Sequence, residues 1–548
     1  MSFSDEIKKL PLEVDIESLS FTNDGIDFTQ EDIEDSEAIF NKEKKLTQGL
    51  NSRLIGMISL VGIFGTGLFL SSGGTLATAG PVGMFLAYIL VGLVISTNQI
   101  CALEVATLCP ITGGNFIHCS YFLDKAAGFA LGYVHLYSSI MPSELSAASV
   151  VVSFWTDLNP AIFISIFIVV IVAVNSYNVK WYGEIEFGFG ILKLLLVLGL
   201  ILVGLVIDLG GAPNNDRLGF RYWKTPGPFA ERYTTGSLGR FLAFWKCVSS
   251  TVYAFGGAQT SAFLAGETEY PRRSINRAMK RIMIRVVILY WLAIFILSLI
   301  VPFNDKQIAS PTGNASGSAW VIAVERSGIK VLPHIINAIV MTSALSAANL
   351  GIINASRTLY SLASLGQAPK IFLKVNKHGL PWVGVIFGCA FLPLAYMSVS
   401  ETSAEVFSWF QNITSSNLLL NWITYSVLHI ALNCALKVQG FSRKDLPYSI
   451  PGGQYAGPIS LFFSALFLIT GGFSVFIHGY WKFANFFSSY FTIPLYIGLF
   501  IFAKLWYKTK YIKPSEVKLR AMFYDVQARP EPPYEKLTGW KWITVLWS

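Results

Sequence analysis

An all-α integral membrane protein with twelve transmembrane helices is the fold class this sequence predicts. Three observations predict it. The 548-residue chain is 53% hydrophobic and 14% charged, against about 25% charged residues in soluble domains. The charge it carries sits in tails and loops. A helix needs about 20 apolar residues to span a bilayer, and such runs recur twelve times, at 54–75, 81–107, 126–155, 161–178, 183–209, 241–266, 280–302, 331–364, 381–399, 404–433, 456–478 and 486–506.

The segment before the first run is polar with no early apolar core, so no cleavable signal peptide is expected. Residues 1–41 hold twelve acidic and two basic side chains, a net of −10, which leaves +18 on the rest of a chain of net +8. Without a sustained apolar period, residues 1–50 are expected to form a disordered acidic tail, either regulatory or simply solvated. Lysine and arginine in short loops set orientation. They cluster in EYPRRSINRAMKRIMIR after run 6, in APKIFLKVNKHG after run 8, at Lys437, Arg443 and Lys444 after run 10, and in the tail 508–548. On the other side only 210–240 is well charged. Both termini are therefore expected in the cytosol, and Asn314-Ala-Ser316, a triplet of the glycosylation type, falls outside. Anionic lipid explains the basic residues, and no nucleic-acid partner is expected. The six cysteines and six histidines form no disulfide framework and no metal motif. Nor is there a phosphate-binding loop, which argues against an enzyme or an ATP-driven pump.

Within the first run, VGIFGTGLF places Gly62, Gly65 and Gly67 where an unbroken apolar helix would be safer. Unpaired backbone groups are tolerated at membrane depth only where they face protein or a cavity. A helix broken there frees N–H groups suited to a carboxylate and carbonyls suited to an ammonium. Close packing of helices through small residues is the alternative. A second interruption, YAFGGAQTS at 253–261, lies five runs later. Paired interruptions at corresponding positions point to a transporter site between inverted repeats.

At this point the sequence resembles the fungal amino acid permeases, the yeast amino acid transporter family of the amino acid–polyamine–organocation superfamily. The resemblance runs from about residue 50 to 510. It is carried by GTGLFLSSGGTLATAGPVG, PITGGNF, MPSELSAASVVVSFW, YGEIEFGFGILK, DRLGFRYWKTPGPF, AGETEYPRRSINRA and SALSAANLGIINASRTLYSLASLGQAPKIF, in that order. LGGAPNNDRLGFRYW and the region around LPHIINA are similar to the dicarboxylic amino acid and proline permeases in particular. The resemblance implies a five-plus-five inverted-repeat (LeuT-like) core with two further helices, first repeat about 54–209, second about 241–433, then helices at about 456–506. It also implies uptake at the plasma membrane with a proton as coupling ion and no other cofactor. Amino acid substrate and lipid bilayer are the implied partners, with trafficking or ubiquitination machinery as candidates for the tails.

By matched position, Gly65, Thr66 and Gly67 fall on the part of span 1 that receives the substrate carboxylate. Phe255, Gly256 and Gly257 fall on the break in span 6 that receives the amino group. Tyr253 matches an aromatic over the substrate side chain, with packing between helices as the alternative. Ionisable residues within spans are candidates by default. Glu144 is read as a contact for the amine, a protonatable site, or a structural hydrogen bond. Lys193 matches a lysine that takes the place of sodium in related proteins, unless it snorkels to the interface. Glu267 is read as an intracellular gate or a surface ion pair, and Glu104 as no more than a gate.

Several positions depart from the family pattern. Val61 stands for an early glycine, Gln259 for a glutamate after the span 6 glycines, and Leu350 for a small polar residue. Loss of the glutamate removes a titratable group from the site. No arginine lies in the binding segments to pair a second carboxylate, so a neutral amino acid, proline included, is the expected substrate. A non-transporting amino acid sensor and a permease for another amine, such as a polyamine or carnitine, are the alternatives.

Overall fold

The computed structural model describes residues 28–40, 63–111, 113–177, 179–258, 260–263, 270–309, 318–376, 379–400 and 402–532. Among these residues there is helix but no strand. Shorter turns of helix aside, the elements are α1 (Gln30–Phe40), α2 (Thr66–Phe69), α3 (Ser71–Leu108), α4 (Asn115–Phe122), α5 (Lys125–Ser139), α6 (Ser143–Val152), α7 (Pro160–Tyr177), α8 (Val179–Asp208), α9 (Gly236–Ala254) and α10 (Thr260–Phe263). Then come α11 (Pro271–Ile300), α12 (Ala319–Arg326), α13 (Leu332–Ser364), α14 (Trp382–Cys389), α15 (Ser403–Val438), α16 (Ala456–Thr470), α17 (Phe483–Tyr490), α18 (Thr492–Tyr507) and α19 (Leu519–Ala528).

Each of the twelve apolar runs carries helix. Among the described residues, six stretches are long and apolar enough to cross a membrane by themselves, and a seventh if α17 and α18, bent by 47° to each other, count as one. Where a run is interrupted within the described residues, the interruption has a local cause. Gly80, at φ +75°, divides α3 so that Ser71–Ala79 completes the first run and Pro81–Leu108 forms the second. The charged loop 210–240 is pinned there: Val82 N–H donates to Pro228 O at 3.0 Å and Ala230 N–H to Ala79 O at 3.1 Å. A Cβ on Gly80 would stand 2.6 Å from the Ala230 nitrogen, so only glycine fits.

The third run was expected as one span over 126–155, but it is broken. Proline cannot donate a helical hydrogen bond, and around Met141 and Pro142 the chain leaves α5 and restarts as α6. Its entry also differs from expectation. Before it lies α4, capped by Gly114 at φ +57°, between the second and third runs.

The central α3 packs against α9, α11, α15 and α16. Ile162, Val169, Leu195, Leu202, Phe462, Ile469, Leu505 and Trp506 stand exposed on the periphery, as a lipid-facing surface requires.

The acidic tail corrects an expectation. Over residues 30–40 it is helical, not disordered. A reciprocal cap starts α1: the Thr29 hydroxyl accepts from Asp32 N–H at 3.3 Å, and the Asp32 carboxylate accepts from Thr29 N–H at 2.8 Å. Ser36, Ile39 and Phe40 are buried. The helix docks on α19, where Phe28 meets Tyr524 edge-on at 5.5 Å and Asp32 and Asp35 pair with Arg520 and Lys518. In turn α19 is held by a buried ion pair, Arg272 to Asp525 at 2.6 Å, and by the Glu531 carboxylate, which accepts from Arg272 and Arg273 N–H at the start of α11 at 2.9 and 2.7 Å. Phe523 packs on Phe441 just beyond α15.

Candidate functional site

The first break is an extended Gly65, with φ −139° and ψ −162°, ahead of the single turn α2. The second lies at the end of α9, where Gly257 takes φ +81°. The two breaks touch. A Cβ on Gly67 would lie 2.6 Å from the Ala254 Cα, so the backbones of the first and sixth runs are in contact at a residue with no side chain. Broken helices leave carbonyls that need donors. One hydroxyl lies between both: the single proton of Tyr290 in α11 is shared by Ile63 O at 2.7 Å and Ala254 O at 2.8 Å. Its ring is packed between Phe64 and Phe255, with centroids 5.5 and 4.9 Å away.

Against these breaks stands Glu144, in the first turn of α6. Its carboxylate accepts from the Thr66 hydroxyl at 2.9 Å and the Tyr253 hydroxyl at 2.5 Å, and those two oxygens are 3.1 Å apart. The break at Pro142 is what puts a carboxylate at a helix start that faces both interruptions. A cavity of about 220 Å³ opens over this group. Gly65, Thr66, Gly67, Glu144, Tyr253, Gly256 and Gly257 all line it.

Not every expected residue is there. The Phe255 ring is buried against Tyr88 and Tyr290 and is not in the lining. The Tyr253 hydroxyl is turned to Glu144, while its ring meets Phe407 edge-on. Lys193 is 1% exposed, so it does not snorkel. It donates to the Ser346 hydroxyl at 3.1 Å, and Ser346 donates to Glu186 Oε2 at 2.6 Å, apart from the cavity lining. Gln259 and Glu267 lie outside the described residues. Glu104 is fully buried, 2.8 Å from His429 Nε2 and 2.6 Å from the Arg443 guanidinium, and it also accepts from Ile450 N–H at 3.3 Å. It therefore ties the end of α3 to α15 and the loop that follows.

Sequence reasoning missed Tyr290, Glu186, His135, Asn115, Asn417 and Asn421, the last four of which line the cavity. Asn417 and Asn421, spaced four apart in TSSNLLLNW, did carry a signal, since that spacing puts two amides on one helix face. Among the described residues no group of histidine, cysteine, aspartate and glutamate is arranged to hold a metal ion.

A family model described as amino acid permease matches residues 55–514. The dicarboxylic amino acid permease of Saccharomyces cerevisiae is 38% identical over 90% of this chain and 82% of that protein. The proline-specific permease of the same yeast is 38% identical over 85% and 76%, and that of Emericella nidulans 34% over 90% and 93%. A solved structure of a Na+-coupled sialic acid symporter, substrate-bound and outward-open, aligns at a TM-score of 0.47 and 12% identity over 81% of this chain and 96% of that one.

Proposed function

This chain belongs to the amino acid permease family, and from that premise we propose that it takes up amino acids across the plasma membrane by proton-coupled symport. It is a multi-pass membrane transporter and not an enzyme. In our reading the twelve runs are twelve spans in a five-plus-five inverted-repeat core with two added helices and both termini in the cytosol. The observation that supports the site is the meeting of two broken helices and one half-buried carboxylate in a single cavity.

The proposed chemistry follows from the two poles. The first turn of α2 offers N–H groups to the substrate carboxylate. The break at 255–257 and Glu144 receive the ammonium, with Thr66 and Tyr253 holding Glu144 in position. Lys193, linked through Ser346 to Glu186, is the proposed coupling group. Alternating access would move spans 1, 2, 6 and 7 against the others. A neutral amino acid, proline included, suits a site with one carboxylate and no arginine.

The test is uptake of radiolabelled amino acids by cells that lack their own permeases, at acidic and neutral pH, with surface expression verified. Saturable uptake that falls as pH rises is expected. Uptake with no pH dependence would overturn proton coupling. No uptake of any amino acid by a correctly placed protein would overturn transport and favour a sensor.

A further inference from the structure

The cavity holds a second polar cluster that the proposed roles do not use. His135 lies nine residues before Glu144, on the other side of the α5–α6 break. Both of its ring nitrogens are buried, and neither has a hydrogen-bond partner among the described residues. The same lining holds three linked amides. Asn115 Nδ2 donates to Asn421 Oδ1 at 2.7 Å, and Asn421 Nδ2 donates to the backbone and side-chain oxygens of Asn417 at 2.8 and 3.1 Å. All three are less than a tenth exposed. Among the described lining residues, Glu144 is the one formal charge.

We infer that His135 and the Asn115–Asn421–Asn417 amides form the pocket for the substrate's side chain, and that the side chain they fit is uncharged but hydrogen-bonding. A carboxamide, as in glutamine or asparagine, is the best match. This rests on the amino acid uptake reading and narrows its substrate class.

The fit is one of complementarity. An imidazole with no carboxylate against it is neutral near pH 7. It then offers one donor and one acceptor, as a carboxamide does. An acidic side chain would bring a second carboxylate into a desolvated pocket without a cation to meet it. A cationic side chain would find no carboxylate there, because Glu144, the one formal charge in the described lining, already receives the substrate's ammonium at the breaks. An apolar side chain would leave the His135 nitrogens unpaired, and sites built to hydrogen-bond a substrate discriminate strongly against analogues that cannot reciprocate.

The experiment measures thermal stabilisation of the purified full chain by glutamine, glutamate, lysine and leucine, in parallel with uptake of the same four. Glutamine should reach half-maximal stabilisation at a concentration at least about ten-fold below leucine. His135→Leu should raise the glutamine value about ten-fold or more and leave leucine within about three-fold. His135→Gln, which keeps a donor and an acceptor, should recover most of the loss. If His135→Leu does not fold, Asn421→Leu reads the same pocket. Equal responses to glutamine and leucine, or a His135→Leu effect common to all four ligands, would overturn the pocket and leave uptake standing. Stabilisation by glutamine without uptake would sustain the pocket and overturn transport. A protein that neither takes up nor is stabilised by any of the four loses the pocket, and the full amino acid panel, proline included, then decides whether uptake stands.

Discussion

Tyr290 shows how much one hydroxyl can carry in a membrane interior. Two interrupted helices expose two carbonyls, and a buried carbonyl without a donor costs about 1–3 kcal/mol. Tyr290 sits between Ile63 and Ala254 and shares its one proton between them. Tyr290→Phe keeps the ring and removes the donor. It should lower stability by about 1–3 kcal/mol, read as a fall in melting temperature of the purified protein with surface delivery intact. An unchanged melting temperature would mean the two carbonyls find other donors. Nothing in VVILYWLAIF marks this tyrosine, because an aromatic in an apolar run is equally at home facing lipid. Glu144 and Lys193 were legible for the opposite reason: a charge in an apolar run stands out, whatever it does. His135 and the amides fall between, polar enough to notice and too common to rank.

At the scale of elements, the glycines of the first break separate into two kinds. A Cβ on Gly67 would meet the Ala254 backbone at 2.6 Å, where no side chain can swing aside, whereas at Gly65 the nearest atom is 4.0 Å away. Gly67→Ala should therefore force the first and sixth runs apart at about 1–3 kcal/mol and weaken substrate binding, while Gly65→Ala should be tolerated. Ligand-dependent melting curves of the two variants decide it, and equal curves would remove the backbone contact from the account. The sequence marked both glycine clusters, and it was their pairing five runs apart that favoured interruptions over close helix packing. It did not show which glycine the contact needs, because that depends on α9, nearly two hundred residues on. The break at Pro142 was readable in principle, but a single proline inside a long apolar stretch read as part of one span. Seven of the cavity's expected residues came from these interruptions and from Glu144; Phe255 did not join them, because the backbone turn that exposes Gly256 and Gly257 sends its ring into the core.

For the whole molecule, the docked tails matter most. Arg272 and Asp525 form an ion pair whose side chains are 10% and 4% exposed. Removing one partner of a buried pair typically costs about 3–5 kcal/mol. Asp525→Ala should release α19, and α1 with it, read as faster protease cleavage within 519–532 while the melting temperature of the membrane portion holds. An Arg272→Met/Asp525→Leu double variant should recover much of the docking. If Asp525→Ala is cleaved no faster, the pair does not hold the tail. Composition alone predicted disorder for residues 30–40, where the structure has a helix. The apolar face that α1 buries is small, and its partner helix supplies the countercharges from the far end of the sequence.

That distance has a consequence for biosynthesis. Asp32 and its partner Arg520 are 488 residues apart. A growing polypeptide emerges at roughly 5–20 residues per second, so α1 waits for tens of seconds without α19 while the intervening helices are made. A ribosome that stops short of residue 519 leaves α1 without that partner for good. The pairing of α1 with α19 thus forms only once synthesis has passed every helix between them.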